Sequence, residues 1–175
     1  GIMETVLILD FGAQYSQLIA RRVREQNVYC EVKPCSISPD EIRELAPIGI
    51  ILSGGPQSVY ESVSLHVDPA LFSLGIPVLG ICYGCQLMAY SLGGTVAAAT
   101  EATAREYGKT LTEFDTESAI FHGLPASSVT WMSHGDYISQ VPDGFTVTAK
   151  TAVCPTAAMA CPEKKLYGVQ FHPEV

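Results

Sequence analysis

The sequence places one cysteine, Cys82, where a nucleophile could be exposed on a tight turn. Cys82 follows a short apolar run and is the centre of a Gly-x-Cys-x-Gly pattern from Gly80 to Gly84. This is the form of a nucleophile elbow, a strained strand-to-helix turn that needs small flanking residues. A helix that begins near Tyr83 would direct its positive end at the thiol, which favours the thiolate and binds a developing oxyanion. The pattern therefore predicts a thiolate nucleophile.

Two backbone amides are candidates for an oxyanion hole beside this thiolate. The amide of Tyr83 directly follows the nucleophile, and Gly55 lies in the Gly54-Gly55-Pro56 loop after an earlier apolar run. Glycine lets the main chain approach a substrate closely, and amides placed in this way stabilise the negative charge of a transition state. We therefore expect Tyr83 and Gly55 to form the oxyanion hole.

The last residues of the sequence could supply a base and a carboxylate that orients it. In Phe171-His172-Pro173-Glu174, the two-residue period of a strand puts His172 and Glu174 on the same side, and Pro173 stiffens the step between them. Glu174 could then hold one imidazole nitrogen while the other nitrogen serves Cys82, as in a catalytic triad.

The other three histidines are weaker candidates for the base. His66 and His122 lie in polar stretches typical of loops, so we expect both on the surface. His134 is less readily set aside.

Each of these features also has a plain structural interpretation. A cysteine is often a small buried hydrophobic residue, and a His-Pro-Glu segment at a strand end is often a loop with a solvated carboxylate. Cys82 and Cys85 form a C-x-x-C pair, which could belong to a redox motif or to half of a zinc site. The sequence has no second C-x-x-C, and the flanking glycines suit an elbow better.

Alternating strands and helices in the first half of the chain must position these residues. Helical spacing or capping residues predict helices after strands one, two and four. Buried strands that alternate with helices favour a parallel sheet covered by helices on both faces. Because ligands bind at the carboxyl ends of such strands, we expect the loops at Asp10, Gly54 and Cys82 to share one edge. Apolar runs place the four strands at residues 5–10, 28–32, 48–53 and 78–81.

The second half of the chain has a different pattern. Gly93-Gly94 predicts a helix end, and the short alternating segments after it predict further strands with turns. The sequence therefore predicts an α/β fold whose mostly parallel sheet continues into a mixed or antiparallel extension. We expect one domain over residues 3–175, preceded by Gly1 and Ile2 as a cloning or cleavage remnant. The alternating segments are residues 107–114, 129–133, 145–148 and 166–171.

Composition limits the classes of partner and compartment. The formal net charge is −8 and the basic residues are scattered apart from a cluster at residues 21–24, so nucleic acid is not an expected partner. Apolar residues make up 47% of the chain, but no apolar run reaches the roughly 20 residues needed to span a bilayer. Six cysteines without a secretory signal pattern predict a reduced, cytoplasmic protein.

Five segments of the sequence resemble the class I glutamine amidotransferase family, and within it the GMP synthetase branch. The cysteine elbow and the terminal His-x-Glu indicate class I, while the Asp-Phe-Gly-x-Gln-Tyr and Trp-Met-Ser-His-Gly-Asp segments indicate the branch. The resemblance covers nearly the whole chain and implies a flavodoxin-like fold. The five segments are Leu9–Tyr15, Leu52–Pro56, Gly80–Gly84, Trp131–Asp136 and Gly168–Val175.

The resemblance implies a specific reaction. Cys82 would attack the side-chain amide of L-glutamine, ammonia would leave, and water would hydrolyse the γ-glutamyl thioester, with His172 as the proton shuttle. His134 would shape the site, and Asp136 would in addition face a synthetase partner. The residues that would hold the α-amino and carboxylate groups of glutamine are Gln86, Ser133, Gly135 and Asp136.

A second catalytic half is also implied. Members of this branch continue into an ATP pyrophosphatase, or synthetase, domain that converts XMP to GMP, and no segment of these 175 residues resembles it. ATP and Mg²⁺ would belong to that half, in the same chain or in a separate subunit. We therefore expect neither a cofactor nor a metal in this domain.

The sequence departs from the family at Cys85, where relatives commonly carry methionine. This substitution places a second thiol one helical turn from the nucleophile. We hypothesise that peroxide converts Cys82 and Cys85 to a reversible disulfide.

Three other functions remain open from the sequence. The chain could be an amidotransferase subunit of another pathway, a cysteine hydrolase or redox sensor on a related fold, or a flavodoxin-like binding module. A binding module of that kind needs a loop that cradles phosphate, and neither Gly12 nor Gly54-Gly55-Pro56 provides the glycine pattern for one.

Overall fold

A computed structural model describes residues 4–12, 16–55, 59, 66–98 and 106–175. The expectations for residues 1–2, and the parts of two family-like segments at residues 13–15 and 56, lie outside these ranges. None of the helices in these ranges combines the length and the hydropathy of a membrane span.

Eleven strands and three α-helices make up the described chain. The strands are β1 (Thr5–Asp10), β2 (Tyr29–Pro34), β3 (Gly49–Leu52), β4 (Val78–Ile81), β5 (Thr95–Ala98), β6 (Glu106–Phe114), β7 (Ser127–His134), β8 (Asp136–Gln140), β9 (Thr146–Lys150), β10 (Ala158–Cys161) and β11 (Leu166–Val169). The helices are α1 (Ser16–Glu25), α2 (Pro39–Leu45) and α3 (Tyr83–Ser91), with short 3-10 turns at Pro69–Ser73, Ala119–Phe121 and Pro162–Lys164.

Nine strands form one sheet in the order β2-β1-β3-β4-β11-β10-β9-β6-β7. Neighbouring strands from β2 to β11 are parallel, and those from β11 to β7 are antiparallel. β5 and β8 form a separate antiparallel pair. The predicted parallel sheet with an antiparallel extension is therefore confirmed.

Helices bury both faces of the parallel half of the sheet. On one face, Ile19 of α1 belongs to the same buried cluster as Ile8 of β1. On the other face, Ile42 of α2 and Leu87 of α3 belong to the cluster that contains Leu7. Residues 7 and 8 thus pack on opposite sides, as the strand period requires. Full burial of such a side chain contributes about 1.5–3 kcal/mol, so this double layer is a stable support for the strand ends.

Local sequence sets the bounds of α2 as predicted. The Ser38 hydroxyl accepts a hydrogen bond from the Glu41 amide at 3.2 Å, and Pro39 occupies the first turn. The helix ends at Leu45, and Ala46 follows in the left-handed conformation with φ of 46°. These contacts satisfy amide and carbonyl groups that a helix end leaves without partners.

Three strands, β5, β8 and β10, were not predicted. β10 is buried at all four positions, and its Ala-Met-Ala-Cys sequence therefore lacks the alternation of apolar and polar residues that marks a half-buried strand. Alanine also has little strand preference. A short run that is buried on both sides cannot be distinguished from a helical segment by its periodicity. β5 and β8 are only four and five residues long. Their pairing depends on contacts between distant segments.

Candidate active site

The carboxyl ends of four neighbouring parallel strands meet at one edge of the sheet. The hydroxyl of Ser16 lies 2.9 Å from Asp10 Oδ1 and 3.2 Å from Ser53 Oγ, and it thereby joins the loops after β1 and β3. The predicted convergence of the loops after β1, β3 and β4 is confirmed, and β11 adds a fourth loop at residues 170–174. The four strands end at Asp10, Leu52, Ile81 and Val169.

Cys82 lies on the sharp turn between β4 and α3. Its φ of 53° and ψ of −110° are values that residues with a Cβ rarely adopt. Its amide donates to the Val169 carbonyl at 2.8 Å, and its carbonyl accepts from the amides of Cys85 and Gln86 at 3.0 and 3.1 Å. The side chain is 4% exposed. This strained and firmly held turn has the geometry predicted for a nucleophile elbow.

The two glycines of the elbow are required by close packing. A Cβ added at Gly80 would lie 2.6 Å from the carbonyl oxygen of Gly84. A Cβ added at Gly84 would overlap the carbonyl oxygen of Leu52 on the neighbouring strand. Gly80 therefore lets the turn close on the start of α3, and Gly84 lets it pack against β3.

His172 and Glu174 form a buried pair beside the nucleophile. His172 Nδ1 lies 3.3 Å from Glu174 Oε2, and the two residues are 6% and 4% exposed. A side-chain hydrogen bond joins the His172 ring to Cys82. The His172 amide donates to the Trp131 carbonyl at 2.8 Å, which anchors this loop to β7. The structure thus brings together the three residues that the sequence analysis grouped.

The surroundings of His172 favour its protonated form. Burial alone lowers the pKa of His172, but hydrogen bonds and charge interactions with Cys82 and Glu174 outweigh burial and raise this pKa to about 10. Oε1 of Glu174 is buried without a hydrogen-bond partner among the described residues. A carboxylate buried in this way is best balanced by an imidazolium, so the ring holds a proton that it can donate.

Two further groups lie at the sulfur of Cys82. Nε2 of Gln170 donates to Sγ at 3.5 Å, and the carbonyl oxygen of Ser133 on β7 is 3.5 Å from Sγ. Gln86 of α3 in turn donates through Nε2 to Oε1 of Gln170 at 3.0 Å. Gln170 was not predicted, although the alternation that grouped His172 with Glu174 would also include it. That alternation is wrong for this segment: β11 ends at Val169, before the predicted end at residue 171, and residues 170–174 form a turn that brings His172 and Glu174 together.

The two predicted oxyanion residues lie close to each other: a Cβ added at Gly55 would lie 3.6 Å from Cδ1 of Tyr83. Tyr83 is the first residue of α3, and its ring packs against Phe11 with centroids 5.6 Å apart. Gly55 follows β3, and a Cβ added there would lie 3.2 Å from the Phe11 carbonyl oxygen. A Cβ added at the preceding Gly54 would lie 3.0 Å from Cε1 of His172. The main chain thus packs tightly against the His172 ring at Gly54 and against Phe11 at Gly55, so a side chain at either position would require its neighbour to shift.

Of the residues predicted to hold glutamine, Gln86 is buried on α3 and the other three lie at the turn from β7 to β8. Ser133 is exposed, and Gly135 and Asp136 are partly buried. Gln86 Nε2 donates to the Asp136 carbonyl at 3.1 Å, and His134 Nδ1 lies 2.8 Å from the same oxygen. His134 therefore lies at this turn, and its role in shaping the site stays a prediction.

Arg22 of α1 is a second residue that the sequence analysis missed. Its Nε donates to the backbone carbonyl of Glu174 at 3.1 Å, and its Nη1 pairs with Glu25 at 3.2 Å. Arg22 and Glu174 are 152 positions apart, and no sequence signal relates them. The other two histidines, His66 and His122, are exposed as predicted.

Cys85 is buried on the inner side of α3. Burial, and then the proximity of Cys82 and Cys154, raise the pKa of its thiol. Its sulfur packs so closely that a Cβ added at Gly168 would lie 2.6 Å from it. In the described ranges, no group of three or more His, Cys, Asp or Glu residues could hold a metal ion. The C-x-x-C pair therefore lacks the further ligands of a zinc site there.

Known sequences match this chain over nearly its full length. Residues 7–175 match the model of the class-I glutamine amidotransferase family. The chain is 57% identical over 172 residues to the glutamine-hydrolyzing GMP synthase of Clostridium botulinum, and 55% identical over 174 residues to that of Bacillus pumilus. These alignments cover 98% and 99% of this chain but 33% of each relative. The chain thus spans about a third of the length of these relatives.

Solved structures agree with this match. A structure from Thermoplasma acidophilum, assigned as a component of GMP synthase, superimposes with a TM-score of 0.85 at 30% identity, covering 100% of this chain and 86% of that one. A glutamine amidotransferase from Thermotoga maritima gives a TM-score of 0.79 at 23% identity, covering 100% and 78%, and shows the same fold. With its cysteine elbow at the edge of this sheet, the chain belongs to the class-I glutamine amidotransferase family.

Proposed function

We propose that this chain hydrolyses the side-chain amide of L-glutamine to glutamate and ammonia, with Cys82 as nucleophile, His172 as acid and base, and Glu174 as the group that orients His172. The observation that carries this proposal is the buried chain of contacts from the Cys82 thiol through the His172 ring to the Glu174 carboxylate. A thiolate and an imidazolium held in contact are ready to attack an amide and to protonate its leaving group.

In the first half of the reaction, Cys82 Sγ forms a bond to the amide carbon of glutamine. The carbonyl oxygen becomes an oxyanion that the amides of Gly55 and Tyr83 stabilise. His172 then gives its proton to the nitrogen, the carbon–nitrogen bond breaks, and ammonia leaves a γ-glutamyl thioester on Cys82.

In the second half, neutral His172 takes a proton from water, and the hydroxide attacks the thioester carbon. The carbon–sulfur bond breaks, glutamate leaves, and the thiolate and imidazolium are restored. We propose that Gln86 and the backbone at Ser133, Gly135 and Asp136 hold the α-amino and carboxylate groups. Nε2 of Gln86 donates to two protein oxygens, so we propose that its other side-chain atom, Oε1, accepts from the α-ammonium.

Incubation of the chain with L-glutamine, followed by assay of glutamate, tests the hydrolysis. We expect glutamate to form slowly, and Cys82→Ala to abolish both its formation and the thioester detectable by mass spectrometry. Cys30→Ala is the matched control, since Cys30 is a buried thiol on β2. No glutamate from the wild type, even with a synthetase half and its substrates present, would refute the proposal.

We further propose that the ammonia serves a synthetase half, in the same chain or in a separate subunit, that converts XMP to GMP with ATP and Mg²⁺ in the cytoplasm. The support is the name of the relatives, glutamine-hydrolyzing GMP synthase, at 55–57% identity. Adding a relative's synthetase half with ATP, Mg²⁺ and XMP should stimulate glutamate release and yield GMP. Stimulation by a different acceptor system alone would instead indicate another pathway.

A further inference from the structure

Two buried glutamine side chains connect the nucleophile to the turn between β7 and β8. Gln86 is 3% exposed and Gln170 is fully buried. Gln86 Nε2 donates to the Asp136 carbonyl at 3.1 Å and to Gln170 Oε1 at 3.0 Å, and Gln170 Nε2 donates to Cys82 Sγ at 3.5 Å. We call these two side chains the amide relay.

The direction of the amide relay follows from its first contact. The backbone carbonyl of Asp136 can only accept a hydrogen bond, so the end of Gln86 that faces it must be the amino group. The second hydrogen of that amino group is then donated to Gln170, which must accept it through its side-chain carbonyl oxygen. Only the amino group of Gln170 is left to face Cys82. A carbonyl at one end of the relay therefore dictates a donor at the other end.

A donor at the sulfur has a chemical consequence. A hydrogen bond to the charged form of a group favours that form, and the sulfur is negatively charged as the free nucleophile and again when it leaves the thioester. Resting on the function proposed above, we propose that Gln170 is a catalytic residue that stabilises the Cys82 thiolate, and that Gln86 is a positioning residue that orients Gln170.

None of the titratable groups described around the sulfur is a hydrogen-bond donor that keeps its proton at every pH. His172 binds the Cys82 side chain, and Glu174 acts through His172. Cys85 of α3 is buried, and His134 of β7 lies at the Asp136 carbonyl at the opposite end of the relay. Neutral Gln170 is thus a donor whose proton is present at every pH, in contrast to His172.

The pH dependence of Cys82 alkylation by iodoacetamide, measured without glutamine by peptide mass spectrometry, tests the role of Gln170. Gln170→Met keeps the volume but removes the donor, so we expect about tenfold slower alkylation at neutral pH and a half-plateau pH about one unit higher. Gln170→Glu places a carboxylate at the sulfur and should slow alkylation further. If both variants are alkylated at the wild-type rate and with the wild-type pH dependence, the proposal is overturned.

A double-mutant cycle tests the role of Gln86. Gln86→Met frees Gln170 to turn its carbonyl toward the sulfur, so alkylation should slow about threefold to tenfold. If Gln86 acts through Gln170, the double variant should be no slower than Gln170→Met alone. Additive losses would overturn the relay.

The alkylation experiment distinguishes a loss of the relay from misfolding and from a failure of the proposed function. A misfolded variant would alkylate at all six cysteines, whereas a folded one should keep the other five protected, and Gln170→Glu serves if Gln170→Met misfolds. Because alkylation needs no glutamine, the relay can fail while glutamate still forms, and glutamate formation can fail while the alkylation profile shifts as expected.

Discussion

The backbone of Cys82 is strained where the chemistry requires it. A residue with a Cβ held at φ 53° and ψ −110° loses on the order of 1–3 kcal/mol, whereas glycine adopts such angles readily. We expect Cys82→Gly to be more stable than Cys82→Ala by about 1 kcal/mol, because both remove the thiol and only glycine relieves the strain. Urea unfolding of the two variants measures the difference. Equal stabilities would contradict this expectation, because relief of strain would then do no more than offset the larger backbone entropy that glycine loses on folding.

Glu174 should control the pH at which His172 loses its proton. Its hydrogen bond and charge help to raise the pKa of His172 to about 10, so Glu174→Gln should lower that pKa. We expect the alkaline limb of kcat/KM for glutamine hydrolysis to move to lower pH, with a smaller loss of kcat than in His172→Ala. Glu163→Gln, at an exposed position, is the control and should leave the limb unchanged. An unmoved limb in Glu174→Gln would contradict the orienting role.

At the scale of elements, packing and helix propensity favour different residues at the junction of β4 and α3. Gly84 lies inside α3, where alanine is intrinsically better by about 1 kcal/mol. A Cβ at this position would overlap the Leu52 carbonyl oxygen of β3. We therefore expect Gly84→Ala to lower the melting temperature and reduce glutamate formation, while Ser91→Ala at the end of the same helix leaves both near wild type. If Gly84→Ala is more stable than the wild type, β3 must shift to accommodate the added Cβ.

The disulfide between Cys82 and Cys85 remains a prediction for α3. Burial raises the pKa of the Cys85 thiol, and the thiolate is the form that attacks oxidised Cys82. We therefore expect the fraction of peroxide-inactivated protein that dithiothreitol rescues to increase with pH in the wild type, and to be smaller in Cys85→Met at every pH. Glutamate formation after rescue is the measurement. Equal rescue in the two proteins would eliminate the disulfide.

At the scale of the whole molecule, His172 links stability to pH. Its pKa is raised from 6.5 to about 10 in the folded protein, so the folded protein binds this proton more tightly than the unfolded chain does. The resulting stabilisation is complete below pH 6.5 and is lost as pH rises toward about 10. Urea unfolding between these limits should show a steeper loss of stability in the wild type than in His172→Gln. Parallel curves would contradict the raised pKa.

Sequence reasoning was most successful where signals are local. The strand at Thr5–Asp10, the capped helix Pro39–Leu45 and the elbow at Cys82 were each predicted from a few adjacent residues, and each lies where predicted. It failed for β10, whose four buried residues carry no periodic signal. It also missed Arg22, because a hydrogen bond to a backbone carbonyl 152 positions away leaves no trace in either segment.

The sequence by itself determined which side chains can do chemistry: a thiol between glycines, and an imidazole two residues from a carboxylate on a strand end. Local sterics are sufficient for the elbow, but the contact of His172 with Glu174 forms in the turn after β11, which ends at Val169, and not through the predicted strand period. Only the tertiary structure decided that β11 pairs in parallel with β4, with Val169 beside Ile81, so that Gln170 and His172 emerge next to Cys82. That pairing depends on burial and backbone hydrogen bonds between segments far apart in the chain, which no local pattern encodes.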